Sequence, residues 1–129
     1  MALTTDDVVA IHQLYSAYCL ACDDGDGPAF ADCYTPDGFV EMGGRPTSGS
    51  EKLAEFAESV VKRFPGIRHA VANVYTEGDG DEAWGRAYLR TYSATGEETF
   101  KGMTGRYRDV LRRVDGTWRF VERAFIPDV

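Results

Sequence analysis

The stretch AWGRAYLRTYS, residues 83–93, decides the fold class of this chain. Large aromatic and basic side chains occupy every second position, and smaller side chains occupy the positions between them. The two sets are Trp84, Arg86, Tyr88, Arg90 and Tyr92, and Gly85, Ala87, Leu89 and Thr91. A period of two residues is typical of a β-strand with two different faces. The stretch therefore predicts a strand from Ala83 to Ser93.

Turn sequences on both sides place this strand in an antiparallel sheet. Gly78–Asp81 and Asp115–Gly116 have the composition of tight hairpin turns, and a third turn is predicted at Ala94–Gly96. Gly102 and Gly105 predict bends that would help the sheet to curl. The four predicted strands are Ile67–Thr76, Ala83–Ser93, Phe100–Val114 and Trp118–Phe125.

The beginning of the chain has a helical period instead. Thr4 or Thr5 would cap a first helix, which would end near Asp23–Gly25. Apolar side chains recur along it at three- and four-residue steps, which predicts one buried face. The positions on that face are Val8, Ile11, Tyr15, Tyr18 and Cys22.

Two further helices and a short strand complete the predicted elements. Asp26 would cap a second helix that runs to about Tyr34. Ser50 would cap a third helix, whose apolar stripe is Leu53, Phe56, Val60 and Phe64. The segments between them are a turn at Thr35–Gly38, a strand at Phe39–Met42 and a loop at Gly43–Gly49. Helices followed by hairpin-linked strands predict an α+β fold. In this fold a curved antiparallel sheet wraps around the N-terminal helices and leaves a cone-shaped cavity.

Composition narrows the classes of function. The length fits a single domain over residues 1–129, and 14 basic against 21 acidic residues give a net charge of −7. This charge disfavours nucleic acids and anionic membranes as partners. The N-terminus lacks the basic start and apolar core of a secretory signal, and no apolar run approaches the roughly 20 residues that span a bilayer. We therefore expect a cytoplasmic protein.

The cysteines are predicted to be free thiols. Their number is odd, and they are Cys19, Cys22 and Cys33. Cys19 and Cys22 have the spacing of a metal or redox pair. A structural zinc site usually needs four ligands, and no second Cys or His pair accompanies them. We therefore interpret the cysteines as core-filling side chains and expect no metal.

Four segments carry a resemblance to a known family. They are Leu14–Tyr18 through Cys22–Asp26, Phe30–Gly38, Arg68–Val74, and Tyr107–Asp109 through Asp115–Arg123. Over nearly its whole length the chain resembles the SnoaL-like branch of the nuclear-transport-factor-2-like superfamily. The resemblance implies a cystatin-like α+β barrel, one apolar pocket and a homodimer formed through the sheet. It leaves the activity open, because this fold hosts isomerases, dehydratases, epoxide hydrolases, cyclases and binding modules.

Three residues are candidates for catalysis. By alternation, His69 shares a predicted strand face with Ile67, Val71, Asn73 and Tyr75. Three of these neighbours are large and apolar or aromatic, so the His69 ring is expected to point inward; the other histidine, His12, is interpreted as a surface residue. Tyr18 lies on the buried helix stripe. Asp23 ends that helix, where a carboxylate opposes the helix dipole, although Asp24 is an open alternative. In scytalone-dehydratase-like and bile-acid-dehydratase-like relatives a Tyr, an Asp and a strand His meet inside the cone, which the resemblance implies for Tyr18, Asp23 and His69.

These residue types suit general acid–base chemistry without a cofactor. His69, oriented by Asp23, would act as base and then acid, and Tyr18 would donate to a substrate oxygen. We therefore expect a lyase or isomerase, of dehydratase or cyclase type, that acts on a small hydrophobic, polycyclic or aromatic carbonyl compound. A steroid-isomerase base would fall at Met42, which disfavours that reaction. The Asp–Arg–Asp set of an epoxide hydrolase would need Asp109 beside Arg86 or Arg123, which spacing alone does not establish.

Further side chains are candidates for substrate binding. Arg123 would bind a substrate carboxylate or pair with Asp23 if it faces inward, and a surface salt bridge is the alternative. The complete set is Phe30, Tyr34, Met42, Val71, Asn73, Met103, Tyr107 and Arg123. Two other functions stay open. One is a non-catalytic small-molecule-binding or dimerisation module, which predicts that the His69 ring lies out of hydrogen-bond reach of Asp23. The other is an accessory subunit of an oxygenase.

Overall fold

Helices and strands follow one another in the predicted order in the computed structural model, which describes residues 1–96 and 101–128. The helices are α1 (Thr5–Asp24), α2 (Gly27–Asp32) and α3 (Ser50–Arg63). The strands are β1 (Tyr34–Met42), β2 (Arg45–Ser48), β3 (Ile67–Asp79), β4 (Glu82–Ser93), β5 (Thr104–Val114) and β6 (Thr117–Pro127). They form one curved, open sheet in the order β2-β1-β6-β5-β4-β3. The α+β prediction is confirmed.

Local sequence signals fix both ends of α1. Thr4 caps its start, since the Asp7 backbone N–H donates to Thr4 Oγ1 at 3.1 Å and Thr4 N–H donates to Asp7 Oδ2 at 3.0 Å. Gly25 ends the helix with φ 65°, a left-handed conformation that favours glycine. A Cβ atom at this position would also lie 2.4 Å from Cγ2 of Val61 on α3. The end of α1 is therefore fixed one residue after Asp23, which lies in the last turn of the helix.

The sheet is mixed rather than wholly antiparallel. Strands β3 to β6 pair through hairpins in antiparallel fashion, as predicted. Strand β1, however, pairs with β6 in parallel. The chain passes through α3 and four strands between them, so no hairpin sets their relative direction. The expectation of an antiparallel sheet is wrong for this pair.

Several predicted boundaries also need correction. Strand β1 starts at Tyr34 and takes in the predicted turn, with a register shift before Phe39, and α2 ends at Asp32. Residues 45–48, predicted as loop, form β2, and Gly49 rather than Ser50 is the N-cap of α3. The predicted strand from Phe100 begins at Thr104, because Gly102 has φ 67° and packs its backbone against the Thr91 carbonyl. Phe100 itself lies outside the described residues.

Asn73 interrupts the alternation of β3. Its φ is 56°, and the pairing of β3 with β4 shifts register between Ala72 and Tyr75. Such a bulge exchanges the two faces of the strand beyond it. Val74 therefore packs against the core, whereas Asn73 and Tyr75 are exposed. The expectation that Asn73 shares the inward face of His69 is wrong.

The core lies between the helices and the inner sheet face. Strand β4 alternates as predicted, with Ala87, Leu89 and Thr91 buried and its aromatic and basic residues exposed. Five of the core residues form an aromatic cluster, and they are Tyr18, Phe30, Tyr34, Tyr107 and Phe120. Within the part of the chain that the structure describes, no helix is both long and apolar enough to cross a membrane.

Candidate active site

A cavity of about 370 Å³ lies between α1, α3 and the inner face of the sheet. Small-molecule sites span about 300–1,000 Å³, so its size suits a small ligand. Its apolar walls include Val40, Met42, Phe56, Val60, Leu89 and Phe125. Its polar side chains are Tyr18, Cys22, His69, Thr91, Lys101 and Tyr107. The cavity is therefore largely apolar, with a few polar side chains at defined positions in its wall.

A second, larger concavity of about 610 Å³ lies on the outer face of the sheet. Exposed aromatic and charged side chains such as Trp84, Arg86 and Arg108 border it. In the described part of the chain its lining contains neither Tyr18, Asp23 nor His69. Because Tyr18 and His69 line the inner cavity and Asp23 is bonded to His69 behind its wall, we place the site there despite its smaller volume.

His69 and Asp23 form a hydrogen-bonded dyad. Nδ1 of His69 lies 2.6 Å from Oδ1 of Asp23, and the side chains are 11% and 7% exposed. The carboxylate only accepts, so Nδ1 is the donor in this bond, and in the neutral ring the lone pair is then on Nε2. Nε2 is 4.0 Å from Sγ of Cys22, and both residues line the cavity. The dyad therefore leaves Nε2, the nitrogen that does not bond Asp23, next to another residue of the cavity wall.

The carboxylate is held by the backbone as well as by the ring. The backbone N–H of His69 donates to Oδ1 of Asp23 at 3.0 Å and to Oδ2 at 3.2 Å. These bonds tie the last turn of α1 to β3 and offset the unfavourable position of the carboxylate in the helix dipole. Asp24 is exposed. The alternative between the two acids is thus resolved in favour of Asp23.

Tyr18 reaches the same cavity from α1. Burial raises the pKa of its phenol well above the usual range, and the nearby Arg123 guanidinium opposes that rise. The phenol is therefore neutral and able to donate. The Tyr34 hydroxyl donates to the Tyr18 oxygen at 3.2 Å, which leaves the Tyr18 proton free. The structure thus brings Tyr18 and His69 to one cavity, with Tyr18 bonded to Tyr34.

Arg123 is buried in the core, 1% exposed, rather than at the surface or beside Asp23. Its Nε and Nη2 donate to Asp109 at 2.8 and 3.1 Å, and the Tyr15 hydroxyl donates to the same carboxylate. Burial opposes its charge, but the Asp109 carboxylate raises the pKa of Arg123 well above its usual value. Burial also raises the pKa of Asp109, and the Arg123 guanidinium opposes that rise. Arg123 therefore neither pairs with Asp23 nor forms a surface salt bridge, and it lies beside Asp109, the neighbour that the epoxide-hydrolase alternative required.

The Arg123 guanidinium packs against two aromatic rings that line the cavity. Its guanidinium carbon lies 3.5 Å from the ring centroid of Tyr107 and 4.3 Å from that of Tyr18, and both rings line the cavity. Nη1 is buried without a hydrogen-bond partner among the described residues. Arg123 therefore contacts the phenols that border the cavity and positions them through cation–π contact.

The other predicted binding residues divide into two groups. Met42, Met103 and Tyr107 line the cavity. Phe30 and Tyr34 pack in the aromatic cluster behind it, and Val71 packs on the core. Within the described residues the cavity lining leaves out Phe30, Tyr34, Val71, Asn73 and Arg123, which corrects those five expectations.

Sequence reasoning missed part of the lining. Phe56 and Val60 appeared only as a helix stripe, and Leu89 and Thr91 only as the smaller face of β4. Both signals mark core positions and do not distinguish a packed core from a cavity wall. Lys101 fell within the strand predicted from Phe100 and had no signal of its own. Over residues 1–96 and 101–128, no group of three His, Cys, Asp or Glu side chains is arranged to hold a metal ion.

Solved structures of other proteins have the same fold as this chain. Protein Rv3472 from Mycobacterium tuberculosis, of unknown function, is 33% identical, with 94% of this chain and 71% of that chain covered and a TM-score of 0.84. A protein of unknown function with a cystatin-like fold from Nostoc punctiforme is 23% identical, with 99% and 96% covered and a TM-score of 0.89.

A third similar structure is from Novosphingobium aromaticivorans and is named provisionally as a scytalone dehydratase. It is 22% identical, with 95% of this chain and 84% of that chain covered and a TM-score of 0.83, which shows the fold alone. Among curated proteins, none has a matching sequence. The sequence profile of the SnoaL-like domain matches residues 4–124. The chain therefore belongs to the SnoaL-like domain family and has the nuclear-transport-factor-2-like fold.

Proposed function

We propose that this protein is a cofactor-independent lyase that removes water from a small, apolar, β-hydroxy carbonyl compound. The observation that carries the proposal is the His69–Asp23 dyad, with 2.6 Å between Nδ1 and Oδ1, at the wall of an apolar cavity. Every step is a proton transfer, and the side chains at the cavity supply the groups for each.

Nε2 of His69 is the base. It takes a proton from the carbon next to the substrate carbonyl, and the ring becomes an imidazolium. Asp23 stabilises that cation because its Oδ1 accepts the Nδ1 proton at 2.6 Å. The apolar walls keep water away from the cavity and strengthen this interaction.

Tyr18 stabilises the enolate oxygen that forms. Its neutral phenol donates one hydrogen bond, and the bond it accepts from Tyr34 polarises the phenol further. The imidazolium then gives its proton to the departing hydroxyl. Water leaves, a carbon–carbon double bond forms next to the carbonyl, and His69 returns to its starting state.

The cavity favours a flat, apolar substrate with one carbonyl group. Aromatic rings and aliphatic side chains form most of its wall, and 370 Å³ leaves space for a compact aromatic or polycyclic body. A non-catalytic binding module predicted separate His69 and Asp23 side chains. Their direct hydrogen bond therefore favours the lyase.

Proton abstraction is tested with a ketone that lacks a leaving group. A bicyclic aryl ketone such as 2-tetralone, incubated in D₂O with the protein, exchanges its α-protons wherever a positioned base acts on it. We expect saturable exchange faster than buffer alone, measured by proton NMR. The proposal would be contradicted by an exchange rate equal to that in buffer alone, together with no dehydration of any compound in a panel of aromatic β-hydroxy ketones.

Tyr18 provides the first prediction about this mechanism. Tyr18→Phe removes the donor to the enolate and lowers the rate of α-proton exchange about 100-fold, the scale expected for one oxyanion donor. Tyr34→Phe removes only the supporting bond and lowers the rate less. An unchanged rate in Tyr18→Phe would remove this residue from the mechanism.

We further propose that two copies associate through the outer face of the sheet. Trp84 and Tyr88 are 53% and 57% exposed on that face, beside the exposed Tyr75. Contiguous exposed aromatic surface is typical of protein–protein contacts. We expect a dimer in sedimentation velocity that Tyr88→Glu converts to a monomer. Leu20→Glu, at an exposed leucine on α1, is the control and leaves the dimer intact; a wild-type monomer would contradict the proposal.

A further inference from the structure

Cys22 lies next to Nε2 of His69, the ring nitrogen that does not bond Asp23. Its Sγ lies 4.0 Å from Nε2 of His69, and both side chains line the cavity. Asp23 orients the other side of the ring at 2.6 Å. Thiol, imidazole and carboxylate therefore follow one another in the order of nucleophile, base and orienting acid.

The other two cysteines lack this combination. Cys19 and Cys33 are buried as deeply as Cys22 to within a few per cent. In the described part of the chain neither of them lines the cavity. Cys33 instead donates to the Ala29 carbonyl at 3.5 Å. The molecule thus contains two internal controls for the behaviour of Cys22.

We propose that Cys22 is a covalent modification site for small, apolar α,β-unsaturated carbonyl compounds, with His69 as the base that accepts the thiol proton. Such a compound is a soft electrophile, which suits sulfur, and its apolar body suits the cavity walls. The proposal stands on the thiol–imidazole geometry and does not require the lyase activity. If that activity holds, the enone that it releases belongs to the same chemical class.

The reaction is a conjugate addition that balances without an oxidant or a leaving group. The thiol proton passes to Nε2 of His69 while a bond forms between Sγ and the β-carbon of the enone. The electrons of the carbon–carbon double bond move to the carbonyl oxygen as an enolate. The imidazolium then returns the proton to the α-carbon, and a thioether remains on Cys22.

Burial makes the base necessary. It raises the pKa of Cys22 to about 12, with the Asp23 charge acting in the same direction, so free thiolate is scarce at neutral pH. Burial likewise raises the pKa values of Cys19 and Cys33 to about 11. Burial therefore gives none of the three cysteines an intrinsic advantage as thiolate. Access from the cavity favours Cys22 over the other two, and the effect of His69 is read from the labelling rate of His69→Gln.

The experiment is labelling of the folded protein with phenyl vinyl ketone, followed by intact mass and peptide mapping. We expect one adduct on Cys22, with Cys19 and Cys33 unmodified, and no adduct in Cys22→Ser. His69→Gln slows labelling about 100-fold, the lower end of the effect of a positioned base. In urea, wild type and His69→Gln label alike at all three cysteines, which confirms that each thiol is intact.

Three results would overturn the inference. They are equal labelling of the three cysteines in the folded protein, an unchanged rate in His69→Gln, and no adduct in the folded protein at all. Because His69→Gln alters the cavity wall, Asp23→Asn is a second test that keeps the ring, and it slows labelling as well. Deuterium exchange into 2-tetralone is measured in a separate experiment. Exchange at the expected rate, together with no adduct on Cys22, contradicts this inference and leaves the proposed lyase activity intact.

Discussion

The substitution His69→Gln lowers the rate of α-proton exchange in 2-tetralone by a factor of about 10²–10⁴. The rate of dehydration of any true substrate falls by a similar factor. Glutamine is similar in size to histidine but has no basic ring nitrogen at the position of Nε2. Asp23→Asn has a comparable effect, because an amide neither stabilises the imidazolium nor fixes its Nδ1–H tautomer. The measurement is the exchange rate by proton NMR at saturating ketone.

Matched variants separate chemistry from folding. His12→Gln changes the other histidine, which is exposed on α1, and leaves exchange unchanged. The free energy of unfolding of His69→Gln stays within about 2 kcal/mol of the parent, as for most substitutions at partly exposed positions. Exchange at the wild-type rate in both His69→Gln and Asp23→Asn would refute the assignment of the base.

Arg123→Met is expected to be the most destabilising substitution in this site. It leaves the Asp109 carboxylate buried without its cation, and breaking a buried ion pair on one side costs about 3–5 kcal/mol. The methionine fills much of the space left among the four surrounding aromatic rings. Equilibrium unfolding in urea measures the loss.

The double variant Arg123→Met with Asp109→Leu provides the control. It removes both charges and recovers most of the stability lost in Arg123→Met, because no unpaired ion remains in the core. A single variant Arg123→Met that unfolds at the wild-type urea concentration would show that the pair is not ionised or not buried as described. Failure of the double variant to recover would place the effect in packing around the rings.

Local signals in the sequence account for much of the fold. Thr4, Asp26 and Gly25 mark helix ends through short-range hydrogen bonds and backbone conformation, which depend on neighbouring residues only. The alternation of residues 83–93 likewise reflects a single strand and its two faces. These features were predictable because the forces that produce them act within a few residues.

Bulges explain where the sequence prediction failed. In the sequence, Asn73 is indistinguishable from any other polar residue of an alternating strand. Its positive φ marks a bulge, and beyond it the inward and outward faces of β3 are exchanged. On β6, the hairpin at Asp115–Gly116 alone would place Glu122 opposite Asp109. A register shift beside Val121 instead places Arg123 opposite Asp109 and creates the buried pair. Inserted residues of this kind depend on sheet curvature, which no local pattern encodes.

The candidate site was predictable in part for a different reason. The family resemblance implied that Tyr18, Asp23 and His69 meet, and the structure joins Asp23 to His69 directly. Which side chains form the wall depends on how far the curved sheet stands from α1 and α3. That separation turns positions such as Leu89 and Phe56 from ordinary core into lining. Tertiary geometry, rather than spacing along the chain, decides this part.

¹⁵N NMR of the imidazole rings reports the tautomer of His69 and so tests whether Asp23 holds this ring ready as a base. We expect a fixed Nδ1–H tautomer for His69, with an unprotonated Nε2 signal that shifts when 2-tetralone binds. His12, exposed to solvent, serves as the reference ring within the same spectrum. A proton on Nε2 of His69, or rapid averaging between the two tautomers as in the reference ring, would contradict a base held ready by Asp23.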